Sequence, residues 1–338
     1  MPGYDPARLA RAVKAEALRV GFDGCGIAEA TRLGPEAERL EAWLRAGRHG
    51  GPDGAMTWLE RNHEKRVDPR ALVPGARSVV SVFKSYWPPA EAPPRGGRPA
   101  EPSPEPAGRV SRYARGDDYH DVLKHGLAEL FDTLDRLAGG AGGRAFVDSA
   151  PVMDKAWAQR AGLGWVGKNT NLLTPSHGSF VFLGELIVDV PLAPDAPFQA
   201  DHCGSCTRCL DACPTDALDA PYQIDATRCI SYWTIEHRGE TMPELASEFG
   251  SWLFGCDVCQ EVCPWTRFSR PTRDARLAPR PETEPQTEAE LREWLELDLE
   301  AFRERFRKSP IKRAKLAGLT RNVETVLRNG GWSAGSGH

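Results

Sequence analysis

Eight of the nine cysteines in this chain lie close together, at the spacing of iron–sulfur ligands. The first four follow the pattern Cys-x2-Cys-x2-Cys-x3-Cys-Pro, in which three thiolates bind one [4Fe-4S] cluster while the fourth reaches a neighbouring cluster. This crossed arrangement predicts two clusters. One would be bound by Cys203, Cys206, Cys209 and Cys263, and the other by Cys213, Cys229, Cys256 and Cys259.

Zinc is the alternative metal, because it also binds four-cysteine sites at Cys-x2-Cys spacing. Zinc sites rarely use three cysteines at successive x2 steps followed by x3-Cys-Pro, whereas a cubane cluster needs that tight wrap. The spacing therefore favours clusters. Two adjacent clusters form a path for electrons, which implies an electron acceptor elsewhere in the chain.

A long insertion separates Cys229 from Cys256, where the plain ferredoxin repeat is much shorter. It carries His237 and Arg238 among other polar and aromatic side chains. We expect this insertion to contact a specialised partner.

The composition is that of a globular protein. With 338 residues, of which 41% are hydrophobic, the chain is long enough for two or three domains. The net charge of -4 excludes neither acidic nor nucleic-acid partners, because opposed local patches can cancel. No apolar run approaches the roughly 20 residues that cross a bilayer, so we expect a cytoplasmic protein without a membrane partner. In that reducing compartment, cysteines that lie close together in the sequence are interpreted as metal ligands. The isolated Cys25 is interpreted as a small buried hydrophobic residue.

Helical and extended patterns alternate in the first half of the chain. Leucines at +4, +3, +4 and +3 predict a helix that faces a core, and they are Leu123, Leu127, Leu130, Leu134 and Leu137. β-Branched and aromatic residues predict strands at 78–83, 145–147 and 180–190, and a further short apolar stretch at 21–28 is a candidate strand.

These patterns predict an α+β fold in three parts. Residues 1–195 would form a mixed α/β domain, interrupted by a proline-rich surface loop at 88–108. Residues 196–272 would form a ferredoxin-like two-cluster module, and residues 273–338 a short helical tail. Acidic residues dominate the start of that tail and basic residues its end.

Neither common nucleotide-binding loop supplies the electron acceptor. Residues 162–169 (GLGWVGKN) nearly match the P-loop pattern, but Asn169 stands where a Mg²⁺-binding hydroxyl is required. No Gly-x-Gly-x-x-Gly follows a strand, so a Rossmann nicotinamide site is unsupported. The acceptor must be bound without these loops.

Five motifs, which occur in the family's order, resemble epoxyqueuosine reductase over roughly residues 5–330. The resemblance implies a cobalamin-dependent enzyme that reduces epoxyqueuosine to queuosine at the tRNA wobble position, the last step of queuosine biosynthesis. It also implies a nitroreductase-like cobalamin-binding domain at 1–195 and a HEAT-like remnant in the tail. The motifs are 111–120 (SRYARGDDYH), 147–151 (VDSAP), 160–169 (RAGLGWVGKN), 228–233 (RCISYW) and 255–264 (GCDVCQEVCP).

Within VDSAP, Asp148 matches the family's proton donor, and an epoxide oxygen does need protonation as its ring opens. We expect burial beside the corrin ring to raise the pKa of this carboxyl group. A helix-capping role ahead of Pro151 is the alternative. Asp118 and His120 match active-site polar groups of the family, again with helix capping as the alternative.

The resemblance also assigns contacts to cobalamin. Lys155 stands where many relatives carry Arg, so the cation is kept but the forked geometry is lost. Leu123 occupies the glycine position of the Asp-x-His-x-x-Gly signature, so we expect base-off cobalamin with no lower ligand from the protein. The matched positions are Arg66, Ser111, Asp148, Lys155, Asn169, Leu172, Leu183, Ser231 and Asp257.

The implied partners are a tRNA that carries epoxyqueuosine and an external electron donor, which would reduce cobalt through the clusters. Basic side chains that follow phosphates bind less tightly as salt rises, whereas a solvated basic helix face is the alternative. Nothing in the sequence demands a partner subunit, so we expect a monomer. The predicted tRNA contacts are His237 and Arg238 in the insertion and Lys312, Arg313, Lys315 and Arg321 in the tail.

Two other functions stay open. A cobalamin-dependent reductive dehalogenase would share the clusters and the cofactor but act on a small halogenated molecule; such enzymes usually carry an export signal, and we expect none here. An electron-transfer ferredoxin subunit would relay electrons to a partner, bind no cobalamin and leave Asp148 without a role.

Overall fold

An antiparallel sheet of four strands lies at the centre of the N-terminal half in the computed structural model, which describes residues 4–50, 56–89 and 105–332. β-Branched and aromatic residues dominate its two longest strands, SVVSVFKS and VFLGELIV. The strands are β1 (Gly24–Glu29), β2 (Ser78–Ser85), β3 (Arg109–Val110), β4 (Gly143–Phe146), β5 (Trp165–Val166), β6 (Leu172–Leu173), β7 (Val181–Val188) and β8 (Trp252–Phe254).

The sheet has the spatial order β1-β2-β7-β4, and each neighbouring pair is antiparallel. In this register Glu185 on β7 lies between Ser81 on β2 and Phe146 on β4. The chain leaves β4 directly into the VDSAP motif. Asp148 therefore lies just beyond the end of the edge strand β4, next to the central strand β7.

Thirteen α-helices surround the strands in the described ranges. They are α1 (Pro6–Arg19), α2 (Gly34–Arg45), α3 (Trp58–Arg61), α4 (His63–Val67), α5 (Tyr119–Ala138), α6 (Asp154–Arg160), α7 (Arg208–Asp211), α8 (Ile230–Ile235), α9 (Pro243–Ala246), α10 (Val258–Glu261), α11 (Glu288–Glu293), α12 (Leu299–Arg305) and α13 (Lys315–Asn329). Short 3-10 helices span Pro69–Ala71, Arg112–Ala114, Ser247–Phe249, Pro264–Phe268, Ala275–Leu277, Pro281–Thr283 and Pro310–Ala314.

The long helix α5 begins with a capped turn, because the Asp118 side chain accepts a hydrogen bond from the backbone N–H of His120. Four of its five predicted core leucines are buried. The prediction for Leu137 is wrong, since its side chain is 46% exposed. The inward position after Leu134 falls four residues on, at Ala138, which is buried.

Three of the four apolar cores hold these layers together, and the fourth surrounds α8 and Trp252. One lies between the sheet, α1 and α5, and a second lies under α6 on the opposite face of the sheet. The third joins α11, α12 and α13 to β8 and to residues 107–114. The tail therefore shares a core with segments that precede it by more than a hundred residues.

The predicted strands correspond to β1, β2, β4 and β7 with small shifts at their ends. Most of the predicted proline-rich loop at 88–108 lies outside the described residues. Across the described ranges, no helix combines the length and the apolar character needed to cross a membrane.

Candidate functional site

The eight clustered cysteines surround two separate spaces. The outer cysteine cavity has a volume of about 100 Å³ and lies beside α7 and His202. It is lined by Cys203, Cys206, Cys209 and Cys263. The inner cavity, of about 620 Å³, has four other cysteines in its wall, and they are Cys213, Cys229, Cys256 and Cys259. The fold thus brings together the same two sets that the crossed sequence pattern groups.

The chemistry of these donors fits iron–sulfur clusters. Burial raises the pKa of Cys209 to about 11 and raises that of Cys259 well above its ordinary value. Free thiols in these positions would keep their protons, whereas a bound cluster replaces the protons and stabilises the thiolates. In the part of the chain that the structure describes, no group of three His, Cys, Asp or Glu side chains is placed to hold a single metal ion.

The inner cavity continues beyond its cysteines into a space lined by apolar and amide side chains. β7 contributes Val181, Phe182 and Leu183 to one wall. Of the predicted cobalamin contacts, Ser111, Asp148, Lys155, Asn169, Leu183 and Ser231 line this cavity.

Three predicted cofactor contacts lie elsewhere, and Arg66 is one of them. Leu172 is buried in β6 and is not among the lining residues. Asp257 is completely buried, and its carboxylate accepts hydrogen bonds from Ser111 Oγ at 2.5 Å and from the backbone N–H of Arg112 at 2.8 Å. Asp257 therefore orients Ser111 and compensates the charge of Arg112 instead of facing the cavity.

A third space, the basic cavity, opens from the other side and has a volume of about 1000 Å³. Arg66, Asp118 and His120 line it. Its outer wall comes from the segment between α12 and α13, and the basic residues there are Arg307, Lys308, Lys312, Arg313 and Lys315. An anionic ligand would find its counter-charges on this wall.

The basic cavity and the inner cavity meet at a few shared side chains. Asp148, Asp154, Tyr113 and Tyr119 line both spaces. A molecule in the inner cavity and one in the basic cavity would therefore face each other across Asp148. This junction is the centre of the candidate site.

Asp148 has a left-handed backbone conformation, with φ of 48°, which Asp tolerates better than most residues. Its carboxylate Oδ2 accepts a hydrogen bond of 2.5 Å from the Tyr119 hydroxyl and lies 3.6 Å from Nε2 of His120. The other ring nitrogen of His120, Nδ1, lies 2.7 Å from Oδ1 of Asp118. Asp118 therefore caps α5 and also orients His120 toward Asp148.

The expected raised pKa of Asp148 is not what the structure gives. Burial alone would raise this pKa, but the nearby imidazole of His120 and the hydrogen bond from Tyr119 outweigh burial and hold the pKa below its ordinary value. Burial opposes protonation of His120, yet Asp118 and Asp148 together raise its pKa to about 9. At neutral pH the proton of this pair therefore resides on the imidazole.

Behind Asp148 lie a second carboxyl group and two cations. Burial and the charge of Asp148 raise the pKa of Asp154 to about 6. Arg66 donates to the carbonyl oxygen of Val152 at 3.4 Å and acts on both carboxyl groups. The ammonium group of Lys155 donates to the carbonyl oxygen of Thr170 at 2.9 Å and so spans the wall of the inner cavity.

The predicted tRNA contacts separate into two groups. Lys312, Arg313 and Lys315 line the basic cavity. His237 is buried, and the guanidinium group of Arg321 donates to the carbonyl oxygens of Trp233, His237 and Gly239 at 2.6, 3.1 and 2.7 Å.

Arg238 is exposed but donates to the carbonyl oxygen of Arg313 at 3.0 Å. His237 and Arg321 thus hold the backbone of the insertion in place and do not line the basic cavity, and their contact with tRNA stays a prediction.

Reasoning from the sequence missed two groups at the junction, the Tyr119 hydroxyl and the Asp154 carboxyl. Both stand beside residues that were predicted, since Tyr119 lies between Asp118 and His120 and Asp154 precedes Lys155. The only available signal was this proximity to the motifs. Their contribution depends on how α5 and α6 approach the end of β4.

Family models match two parts of the chain. A model of the 4Fe-4S double cluster binding domain matches residues 202–266, and a model described as epoxyqueuosine reductase QueG, DUF1730, matches residues 66–149. Among curated relatives, the epoxyqueuosine reductase of Cellulophaga algicola is 46% identical over 312 residues, which are 92% of this chain and 96% of that protein. That of Pseudomonas aeruginosa is 44% identical over 327 residues, 96% of this chain and 86% of that protein.

Solved structures give the same relationship. An epoxyqueuosine reductase with an epoxyqueuosine-modified tRNA-Tyr stem loop matches with a TM-score of 0.82 and 32% identity, over 95% of this chain and 81% of that chain. The Bacillus subtilis epoxyqueuosine reductase, described with its catalytic aspartate loop swung out of the active site, matches with a TM-score of 0.82 and 30% identity, over 97% of this chain and 83% of that chain.

Proposed function

The chain belongs to the epoxyqueuosine reductase family, and on that premise we propose that it reduces epoxyqueuosine to queuosine in tRNA, with two [4Fe-4S] clusters and cobalamin as cofactors. The family that the sequence motifs resembled is thereby confirmed, as is the enzyme class, an oxidoreductase. The observation that carries the proposal is the position of Asp148, which lines both the cysteine-walled inner cavity and the basic cavity.

The two cysteine sets would hold the clusters in series. The outer set lies beside the exposed residues His202 and Arg208, so an external electron donor would approach there. The inner set opens into the larger cavity, where the electrons would leave. Electrons would therefore pass from the outer cluster to the inner cluster and then to the cofactor.

The lining of the inner cavity fits the chemistry of cobalamin. Phe182, Leu183 and Val181 offer an apolar wall to a flat macrocycle, while Asn169, Asn171 and Ser231 supply donors and acceptors for its amide arms. Cobalamin, when bound, supplies the reducing metal centre. His120 is engaged by Asp118 and Asp148, which supports base-off cobalamin without a lower ligand from the protein.

Around the substrate, three side chains would manage a proton. The imidazole of His120 holds it at neutral pH, and Asp148 lines the junction where the epoxide oxygen would lie. The Tyr119 hydroxyl fixes the direction of that carboxylate by donating to the same oxygen. Asp148 would thus pass a proton to the oxygen while His120 restores it.

The basic cavity would receive the anticodon loop. Lys312, Arg313 and Lys315 lie on its outer wall and are suited to phosphate groups. The structure with a modified tRNA stem loop supports this assignment, because that relative is similar over 95% of this chain. We also propose that the protein acts on tRNA as a monomer in the cytoplasm.

One experiment tests the whole assignment. The protein would be purified without oxygen and its absorption spectrum recorded with and without cobalamin. Epoxyqueuosine tRNA would then be added with a strong reductant, and the nucleosides would be analysed by mass spectrometry. We expect queuosine to form only when cobalamin is present. A protein that carries clusters but binds no cobalamin would instead be an electron relay, and one that dehalogenates small aromatics but leaves the tRNA unchanged would be a dehalogenase.

A further inference from the structure

A buried carboxyl group lies behind the site and has no role in the function proposed above. Glu185 is completely buried in the middle of β7. Neither of its carboxyl oxygens has a hydrogen-bond partner among the described residues, and the same holds for the hydroxyl of Ser81, its neighbour on β2. Burial of an unpartnered carboxyl group destabilises the folded state. A group kept at such a cost is a candidate for function.

Glu185 lies on the face of the sheet that α6 covers. Its neighbour Ser81 is in register with Gly26 on β1, where an added Cβ would lie only 2.0 Å from the carbonyl oxygen of Ala161. The C-terminal end of α6 therefore packs directly on the sheet at this level. The N-terminal residue of the same helix is Asp154, which lines the catalytic junction.

The third neighbour of Glu185 leads to Asp148. Phe146 on β4 is in register with Glu185, and Asp148 follows two residues later. Glu185, Asp154 and Asp148 are thus set around the N-terminal half of α6, from the core to the open cavity. Glu185 is the innermost of the three, and Asp148, whose side chain is 60% exposed, is the outermost.

The charges in this region favour a proton on the innermost carboxyl group. Burial raises the pKa of Glu185 well above its ordinary value, and the carboxylates of Asp154 and Asp148 raise it further. The cations Arg66 and Lys155 act on Asp154, nearer to the cavity. Proton affinity therefore falls from Glu185 outward to Asp154 and Asp148, so Glu185 keeps its proton at neutral pH until a stronger base, the oxygen of the opening epoxide, takes a proton from Asp148.

The reaction needs such a reserve. Conversion of an epoxide to an alkene breaks both carbon–oxygen bonds and takes up two electrons and two protons, and the oxygen leaves as water. The electrons come from the external donor, but a carboxyl group carries a single proton. We propose that Glu185 holds a second proton for each turnover and delivers it through bridging water and Asp154 to Asp148. Glu185 then regains a proton from solvent before the next turnover. This inference rests on the proposed function.

Two substitutions at the same position separate this role from a structural one. Glu185→Gln keeps the shape but carries no transferable proton, while Glu185→Asp keeps the proton but shortens the side chain. The relay predicts a turnover number about tenfold lower for Glu185→Gln, an unchanged KM for tRNA and substantial activity for Glu185→Asp. A packing role predicts the reverse order, since the isosteric amide fits best. Wild-type turnover in Glu185→Gln would overturn the relay.

A second measurement does not depend on turnover. Infrared difference spectra of the wild-type protein, recorded in H2O and D2O at neutral pH, should contain the C=O stretch of a protonated carboxyl group. This band should vanish in Glu185→Gln and shift in Glu185→Asp. If Glu185→Gln fails to fold, the test rests on the infrared spectrum of Glu185→Asp. A C=O band at the wild-type frequency in that variant would contradict the proposal. Absence of queuosine from the wild-type reaction would instead refute the proposed function and leave the infrared result standing.

Discussion

The hydroxyl group of Tyr119 donates a 2.5 Å hydrogen bond to Oδ2 of Asp148, the carboxylate oxygen that also lies 3.6 Å from His120. One oxygen therefore accepts a hydrogen bond from the first turn of α5 and lies beside an imidazole of the same turn. Because Asp148 lines both cavities, the start of α5 controls the direction and the protonation of the proposed proton donor.

Replacement of Asp148 by Asn should remove the proton donor without disturbing the cofactors. We expect turnover of epoxyqueuosine tRNA to fall by roughly 100-fold or more, because general acid catalysis contributes that much. Cluster absorption and cobalamin binding should persist. Asp132→Asn, at an exposed position on α5, is the matched control and should retain activity. Full activity of the Asp148 variant would refute the role.

The stability of the protein should depend on pH through His120. Its pKa is raised from 6.5 to about 9, so its ion pairs contribute stability that is complete below pH 6.5 and is lost as pH rises through about 9. Urea unfolding of wild type and His120→Gln, both without cobalamin, should differ by about 1–2 kcal/mol at pH 6. The difference should shrink toward zero above pH 9. A difference that stays constant with pH would contradict the assignment.

Substitution of a single cysteine should remove one of the two clusters and leave the other. Cys209→Ser in the outer set and Cys259→Ser in the inner set should each lose about half of the bound iron, since each disrupts one of two four-iron clusters. Cys25→Ser is the control, because Cys25 lies in β1 and lines neither cysteine cavity. Iron and acid-labile sulfide analyses give the result, and zinc in place of iron would contradict the cluster assignment.

Loss of the basic wall should weaken tRNA binding in a salt-dependent way. Lys312→Ala and Lys315→Ala should each lower the affinity and reduce the slope of log K against log salt by about one, if each side chain neutralises one phosphate. Arg136→Ala, at an exposed site on α5, should leave both unchanged. Titrations at several salt concentrations provide the check, and unchanged slopes would mean that the tRNA lies elsewhere.

Arg321→Ala should act on stability and not on phosphate contacts. Its guanidinium donates to three backbone carbonyl oxygens, which the substitution would leave without partners in a partly buried region. We expect a loss of about 2–4 kcal/mol in the free energy of unfolding. The slope of tRNA affinity against salt should stay as in the wild type, and a reduced slope would return Arg321 to the tRNA-binding surface.

Local patterns were sufficient for much of the fold. Periodicity located α5, and β-branched composition located β2 and β7, because these signals depend on neighbours within one element. The same periodicity failed at Leu137, because the core-facing side of the helix continues at Ala138 instead. The local patterns predicted a helical tail at 273–338 but not that α11 to α13 share a core with residues 107–114, because this contact joins segments far apart in the sequence.

The sequence by itself determined the metal chemistry and the family, since cysteine spacing is a local property that a cubane cluster constrains directly. Only the tertiary structure decided the protonation of Asp148, the scaffold roles of Asp257 and Arg321, and the buried position of Glu185. Each of these properties depends on burial and on partners from distant segments. The residue type and its immediate neighbours in the sequence encode neither the burial nor the partners.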